Sequence, residues 1–152
     1  MRGPARNFRG TDRVRGMTIL VGYTPSTKGQ AALTAAVDLA KKTGDKLYVV
    51  NAGVGEAVDE REVATEDQLN KAREYMKSEG VEGKVKQYLR GNDAAEELLA
   101  LTEARSDVTM LVIGLRRRSP VGKLFMGSIS QKIILNAKVP VLSVREAEEY
   151  EV

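Results

Sequence analysis

Residues 110–130 read MLVIGLRRRSPVGKLFMGSIS, and the rest of the chain is organised around this stretch. An apolar run ends at Gly114, a long basic loop follows, and Gly127 and Ser128 open a new segment with apolar residues at helical spacing. This order indicates a buried strand, a loop and the start of a helix. The first N–H groups of a helix have no partner within it, so they suit an anion. With the cations of the loop, the stretch predicts a phosphate-bearing ligand, most readily a nucleotide.

The composition limits the classes of function. The chain has 152 residues, of which 42% are hydrophobic and 30% charged, as expected of one globular domain. It contains no cysteine and no histidine, which excludes disulfides, thiolate metal sites and Ser-His or Cys-His nucleophile pairs. A carboxylate metal site shared with nucleotide phosphates remains open. No apolar run approaches the ~20 residues that span a bilayer, so we expect a cytoplasmic protein without a membrane partner.

The positive charge of the chain lies mainly at its beginning. Residues 1–16 contain five arginines and one acid, a net charge of +4, whereas the whole chain carries +3, which leaves −1 for residues 17–152. We expect a disordered basic leader over residues 1–16, a domain over residues 17–146 and an acidic tail over residues 147–152. The leader is either an extension before a natural start at Met17 or an arm that touches nucleic acid or membrane. The nearly neutral domain argues against nucleic acid as a partner.

Short apolar runs alternate with segments of helical periodicity. The predicted strands cover residues 18–21, 47–50, 85–89, 110–113 and 139–144. A polar helix is predicted over residues 59–79, and Ser26 or Thr27 is expected to cap the helix after the first strand. The alternation indicates an α/β protein with a parallel sheet covered by helices on both faces. Pro140 cannot donate to a ladder, so the last strand is expected at a sheet edge, where it invites a second copy to pair.

These features resemble the universal stress protein family over about residues 17–146. The family signature is Gly, two residues, Gly, nine residues, Gly and then Ser or Thr. Gly114, Arg117, Gly127 and Ser128 occupy these positions, so the second glycine alone is missing. The resemblance implies a flavodoxin-like (Rossmann-like) fold with five strands in the order 3-2-1-4-5. It also implies a homodimer through residues 139–144 and, in one branch of the family, binding of ATP or AMP.

The resemblance also implies which parts of the chain hold the nucleotide. The backbone near Gly114 and the loop beside it face the ribose and phosphates, and the helix start at Gly127 holds phosphate. The end of the first strand and the residue near Ala52 hold the adenine and ribose. The nucleotide-binding residues expected in this way are Tyr23, Thr24, Pro25, Ala52, Gly114, Arg116, Arg117, Gly127, Ser128, Ile129 and Ser130.

Two of these residues depart from the pattern of nucleotide-binding members. Those members usually have Asp about where Thr24 stands, and Thr24 offers a hydroxyl but no carboxylate for ribose or a metal. Arg117 replaces a glycine, which obstructs the site if the backbone there must approach the ligand closely. Alternatively, Arg117 supplies a charged donor that compensates. The sequence leaves both interpretations open.

The sequence therefore predicts a stress-response regulator that binds an adenine nucleotide, ATP or AMP, with or without Mg²⁺. It predicts no catalytic residues and no metal ligands, because the site lacks histidine and paired carboxylates. The alternative is a dimeric interaction module of the same fold that binds no nucleotide. A nucleic-acid binder and an ATP-using enzyme of a related fold are the remaining rivals.

Overall fold

The computed structural model describes residues 17–54, 62–116 and 126–146. The predicted leader over residues 1–16, the predicted tail over residues 147–152 and Arg117 lie outside the described residues. Within the described residues, the chain forms β1 (Thr18–Gly22), α1 (Thr27–Thr43), β2 (Lys46–Ala52), α2 (Glu66–Ser78), β3 (Gly83–Tyr88), α3 (Ala94–Ala104), β4 (Val108–Leu115), α4 (Ser128–Asn136) and β5 (Val141–Arg145). None of these helices is long and apolar enough to cross a membrane.

The five strands found in the described residues form one parallel sheet in the order β3-β2-β1-β4-β5. Successive side chains of a strand point to opposite faces, so the buried strands supply two cores. Val21 of β1 packs in a core with α1 and α2, whereas Leu20 packs in a second core with α3 and α4. The predicted flavodoxin-like fold, its strand order and the helices on both faces are confirmed.

The helix predicted over residues 59–79 begins later than the sequence suggested. It starts at Glu66, and Glu62 to Thr65 are not helical. A capping box sets this start. The Thr65 hydroxyl accepts a hydrogen bond from the Gln68 N–H at 3.2 Å, and the Gln68 side chain accepts one from the Thr65 N–H at 2.8 Å. The prediction was wrong for residues 62–65, since Glu62 matches a helical composition without joining the helix, and residues 59–61 lie outside the described residues.

The boundaries of the strands also differ from the prediction; β2 spans Lys46–Ala52 instead of residues 47–50, and β4 begins at Val108 instead of residue 110. β5 begins at Val141, because Pro140 has no N–H and joins the ladder only through its carbonyl, which accepts from the Leu111 N–H at 3.0 Å. β3 begins and ends earlier than predicted, at Gly83 and Tyr88. β4 continues through Gly114 to Leu115. The predicted edge position of β5 is confirmed.

Candidate functional site

A cavity opens at the carboxyl ends of β1 and β4, which are neighbours in the sheet. The helices that follow these two strands, α1 and α4, pack on opposite faces. This is the topological switch point at which open α/β sheets bind ligands. The empty space of the cavity, with its open mouth included, is about 450 Å³. The residues that line it are Gly22, Tyr23, Thr24, Lys28, Gly29, Val50, Ala52, Ala94, Leu98, Ile113, Gly114, Ile129, Ser130 and Ile133.

The structure brings together many of the residues expected from the sequence, but not all of them. Those that line the cavity are Tyr23, Thr24, Ala52, Gly114, Ile129 and Ser130. Four of the expected residues do not line the cavity, although each lies within two positions in the chain of a residue that does. These are Pro25, Arg116, Gly127 and Ser128. Arg117 lies outside the described residues. The lining is largely apolar, with polar groups concentrated at the starts of α1 and α4.

The first turn of α1 is capped by a side chain of the same segment. Ser26 is the N-cap, and its hydroxyl accepts a hydrogen bond from the Gly29 N–H at 3.2 Å. The hydroxyls of Thr24 and Ser26 are hydrogen-bonded to each other at 2.7 Å. A Cβ on Gly29 would lie 1.9 Å from the carbonyl oxygen of Thr24, so this turn packs against the helix more closely than any side chain allows. Thr24 therefore belongs to the turn that starts α1.

Gly114 allows α1 to approach the end of β4. A Cβ at this position would lie 2.0 Å from the carbonyl oxygen of Lys28, in the first turn of α1. From the sequence, we expected Gly114 at the point where the apolar run ends. In the structure it lies inside β4. Its position beside the helix backbone explains why the site needs glycine here: two backbones that pack in van der Waals contact leave no room for a side chain.

The start of α4 is open. Gly127 occupies the N-cap position with an extended backbone, and no side chain caps the helix in the described residues. The other described helices are each capped by a side chain, from Ser26, Thr65 or Asp93. The first N–H groups of α4 therefore have no side-chain acceptor, and Ile129 and Ser130 in this turn line the cavity. Such a turn offers partial positive charge to an anion.

Asn51 fixes the wall of the cavity formed by the end of β1. Its side chain is fully buried and donates to the carbonyl oxygens of Tyr23, at 2.9 Å, and of Glu62, at 2.7 Å. Its oxygen accepts from the Ala64 N–H at 3.0 Å and from the Gln87 side chain at 2.9 Å. Tyr23 is thereby held in the core, and burial raises the pKa of its hydroxyl. It lines the site as a neutral side chain.

The family model of the universal stress protein family matches residues 17–145. The chain belongs to this family. It is also 36% identical over 127 residues to the universal stress protein of Mycolicibacterium smegmatis, a match that covers 84% of this chain and 96% of that protein. The family signature ends at Gly127 and Ser128, which are the N-cap and first residue of the open helix α4.

Solved structures of the family have the same fold. A universal stress protein of Archaeoglobus fulgidus superposes with a TM-score of 0.70 at 29% identity, covering 84% of this chain and 97% of that one. A second structure from the same organism, described as a complex with dAMP, has a TM-score of 0.64 at 23% identity and covers 86% of this chain and 98% of that one. At 29% identity, the first structure supports a family relationship as well as a common fold. At 23% identity, the second supports the common fold alone.

Sequence reasoning missed Lys28 as a site residue. It lines the cavity from the first turn of α1 and is half-buried, and this burial lowers the pKa of its ammonium group. The nearby positive charge of Arg116 lowers this pKa further, whereas Glu62 and Glu146 oppose the shift. The sequence contains one indication of this position, because Lys28 directly precedes a glycine in the helix that follows the first strand. None of the described lining residues is a carboxylate, and no metal-binding cluster of acids occurs in the described residues.

Proposed function

We propose that this protein is a stress-response regulator that binds an adenine nucleotide, ATP or AMP, in the cavity between β1 and β4. The observation that carries the proposal is the start of α4, where uncapped N–H groups meet a cavity with apolar walls. An apolar pocket suits a base, and an open helix start suits a phosphate. A nucleotide combines these two chemistries in one molecule.

The proposed nucleotide has its phosphate at Gly127 to Ser130 and its base against the wall that contains Ala52. Ser130 is half-buried and lines the cavity, whereas Ser128 is exposed. We therefore assign the hydroxyl contact to Ser130 and leave Ser128 to contribute its backbone N–H. Arg116 supplies positive charge near Lys28. Arg117 is proposed to act with it as a charged donor.

Ligands in similar structures support this assignment. The second structure from Archaeoglobus fulgidus is a complex with dAMP. Two further structures of the same fold are complexes with cAMP, at 20% identity and a TM-score of 0.64, and with AMP, at 11% identity and a TM-score of 0.60. All three ligands combine adenine with a phosphate, which is the combination that we propose for the cavity and the start of α4.

Isothermal titration of AMP and ATP into the full chain tests the proposal, with Ser130→Asp as the decisive variant. An aspartate in the first turn of a helix stabilises the helix but repels a phosphate. We expect AMP binding to be lost while the thermal midpoint is unchanged or raised. Ser106→Asp is the matched control, because it adds the same charge at an exposed turn before β4. No binding of either nucleotide to the wild-type protein would refute the proposal and favour the interaction module.

We further propose that the protein acts by binding, in the cytoplasm, and not by turnover. The described lining has no carboxylate, and the chain has no histidine, so neither of these common kinds of general base lies at the proposed phosphate position in the described residues. For the same reason we expect AMP to bind equally well with and without Mg²⁺. Steady release of inorganic phosphate from ATP by the wild-type protein, lost in Ser130→Asp, would contradict this part of the proposal.

We propose a homodimer that forms through β5, as predicted for residues 139–144. The Pro140 carbonyl and the Glu146 N–H pair with β4, so the alternating backbone groups of Ser143 point away from the sheet. Leu142, on the same edge strand, is 38% exposed. Ser143→Pro removes an outward N–H without removing a pair to β4. Sedimentation velocity should show a dimer for the wild-type chain and a folded monomer for this variant, and an unchanged dimer would rule out this interface.

A further inference from the structure

Lys28 occupies a fixed position on the α1 side of the cavity. Its carbonyl oxygen packs against the glycine backbone at Gly114, and the residue after it, Gly29, packs against Thr24. These two close contacts hold the first turn of α1 in place. Ser130 lines the same cavity from the start of α4. Lys28 and the open helix start are therefore brought to one small volume by segments that are distant in the sequence.

The ammonium group of Lys28 has no acid to neutralise it at close range. Within the described residues, no carboxylate oxygen lies within 4.0 Å of this ammonium nitrogen, the distance at which the two would form an ion pair. Glu62 and Glu146 each act on it more weakly than the repelling charge of Arg116. Lys41, an exposed lysine on the same helix, differs in this respect, since it pairs with Glu79 at 2.8 Å. A half-buried cation without a close acid is unfavourable unless a ligand brings an anion.

We infer that Lys28 makes the cavity select a phosphate-bearing nucleotide over the uncharged nucleoside. This inference rests on the proposed function and adds the source of its charge specificity. A phosphate forms a charge-assisted hydrogen bond with the ammonium group, whereas adenosine leaves that group unpaired. The selection therefore comes from the gain in the phosphate complex.

The same placement predicts how nucleotide binding depends on pH. Burial and Arg116 lower the pKa of Lys28, so the ammonium loses its proton at a lower pH than an ordinary lysine does. AMP affinity should therefore decrease as the pH rises through this lowered pKa. The charged groups that act on Lys28 are Arg116 after β4, Glu62 before α2 and Glu146 after β5. Tyr23 is the other titratable group of the described lining, and burial raises its pKa.

Titration calorimetry of the full chain with AMP and with adenosine tests the inference. In Lys28→Gln, we expect AMP affinity to decrease about tenfold or more, because one charged hydrogen bond is lost, while adenosine affinity is unchanged. Lys42→Gln is the matched control, since Lys42 is exposed near the other end of α1. Lys28→Arg should retain AMP binding and lose the decrease in affinity with rising pH, because arginine stays protonated in the range where lysine titrates.

The outcomes separate this inference from the function on which it rests. If Lys28→Gln weakens AMP and adenosine equally, or weakens neither, Lys28 does not select phosphate and the inference is overturned while nucleotide binding stands. If Lys28→Arg shows the same pH dependence as the wild-type protein, another group such as Tyr23 is responsible and the inference is overturned. If the wild-type protein binds neither AMP nor ATP, the proposed function fails and this inference fails with it. Circular dichroism of each variant confirms that the fold is retained.

Discussion

Two helices begin at the same cavity, and they begin in opposite ways. α1 starts with the side-chain cap of Ser26 and buries six of its residues. α4 starts with Gly127, has no side-chain cap, and buries Ile133 alone among its described residues. The comparison indicates that the first turn of α1 is capped within the protein by Ser26. The first N–H groups of α4 instead have no side-chain acceptor in the described residues, and this turn lines the cavity.

Two glycines show the same contrast. A Cβ on Gly114 would lie 2.0 Å from the carbonyl oxygen of Lys28, whereas a Cβ on Gly127 would meet nothing within 4 Å in the described residues. Both belong to the family signature, yet they act for different physical reasons. Gly114 is needed by the packing of the free protein. Gly127 leaves space beside N–H groups without a side-chain acceptor, where we propose that the phosphate binds.

The largest expected effect comes from Gly114→Ala. The added methyl group overlaps the backbone of α1, which cannot move without separating from β4. We expect the free energy of unfolding to decrease by about 3 kcal/mol, the upper part of the range for overpacked cores. Gly127→Ala is the control and should cost less than about 1 kcal/mol. Chemical denaturation measures both, and equal losses would show that the two glycines do not differ as the structure indicates.

Removal of the α1 cap should have the next largest effect. In Ser26→Ala, the Gly29 N–H loses its acceptor and the hydroxyl of Thr24 loses its partner. The expected loss of stability is about 1 kcal/mol, as for N-caps in general. Ser128→Ala is the matched change at α4, where no side-chain cap exists, and should leave the unfolding midpoint nearly constant. A larger loss from Ser128→Ala would break the contrast between the two helix starts.

Ser130→Ala and Ser128→Ala separate the two hydroxyls at the start of α4. Because Ser130 lines the cavity and Ser128 is exposed, we expect Ser130→Ala to weaken AMP binding about fivefold, the value of one neutral hydrogen bond. Ser128→Ala should change the affinity less than about twofold. Calorimetric titration decides between them. The reverse order would place the phosphate at the outer side of the helix start.

The smallest change in stability is expected from Gly127→Ser, which gives α4 the kind of cap that α1 has. A serine at the N-cap should stabilise the free protein by about 0.3 kcal/mol. Its hydroxyl would also accept from the N–H groups proposed for phosphate, so AMP affinity should decrease. Thermal unfolding and calorimetry on the same sample measure the two effects. A gain in both stability and affinity would show that the N–H groups of α4 are not used by the ligand.

The order of the elements could be predicted from the sequence because it depends on local patterns. Alternation of apolar runs with helical periodicity predicted alternating strands and helices in a parallel sheet, the family resemblance implied the order of the strands within it, and Pro140 predicted the edge position of β5. The cap at Ser26 was visible as a hydroxyl before a helical pattern. The boundaries were less predictable. The start of α2 depends on the capping box at Thr65, and the charged residues before it look equally helical.

The sequence by itself determined the fold and the family and predicted the general location that we propose for the site, since each depends on residues that are close in the chain or on a spaced signature. Only the tertiary structure decided that Gly114 packs against α1, that Lys28 reaches the cavity, and that Ser130 lines it while Ser128 does not. The physical reason is that these features arise from contacts between the ends of β1 and β4 and the starts of α1 and α4. Such contacts depend on how closely backbones approach one another, which no local pattern of residues records.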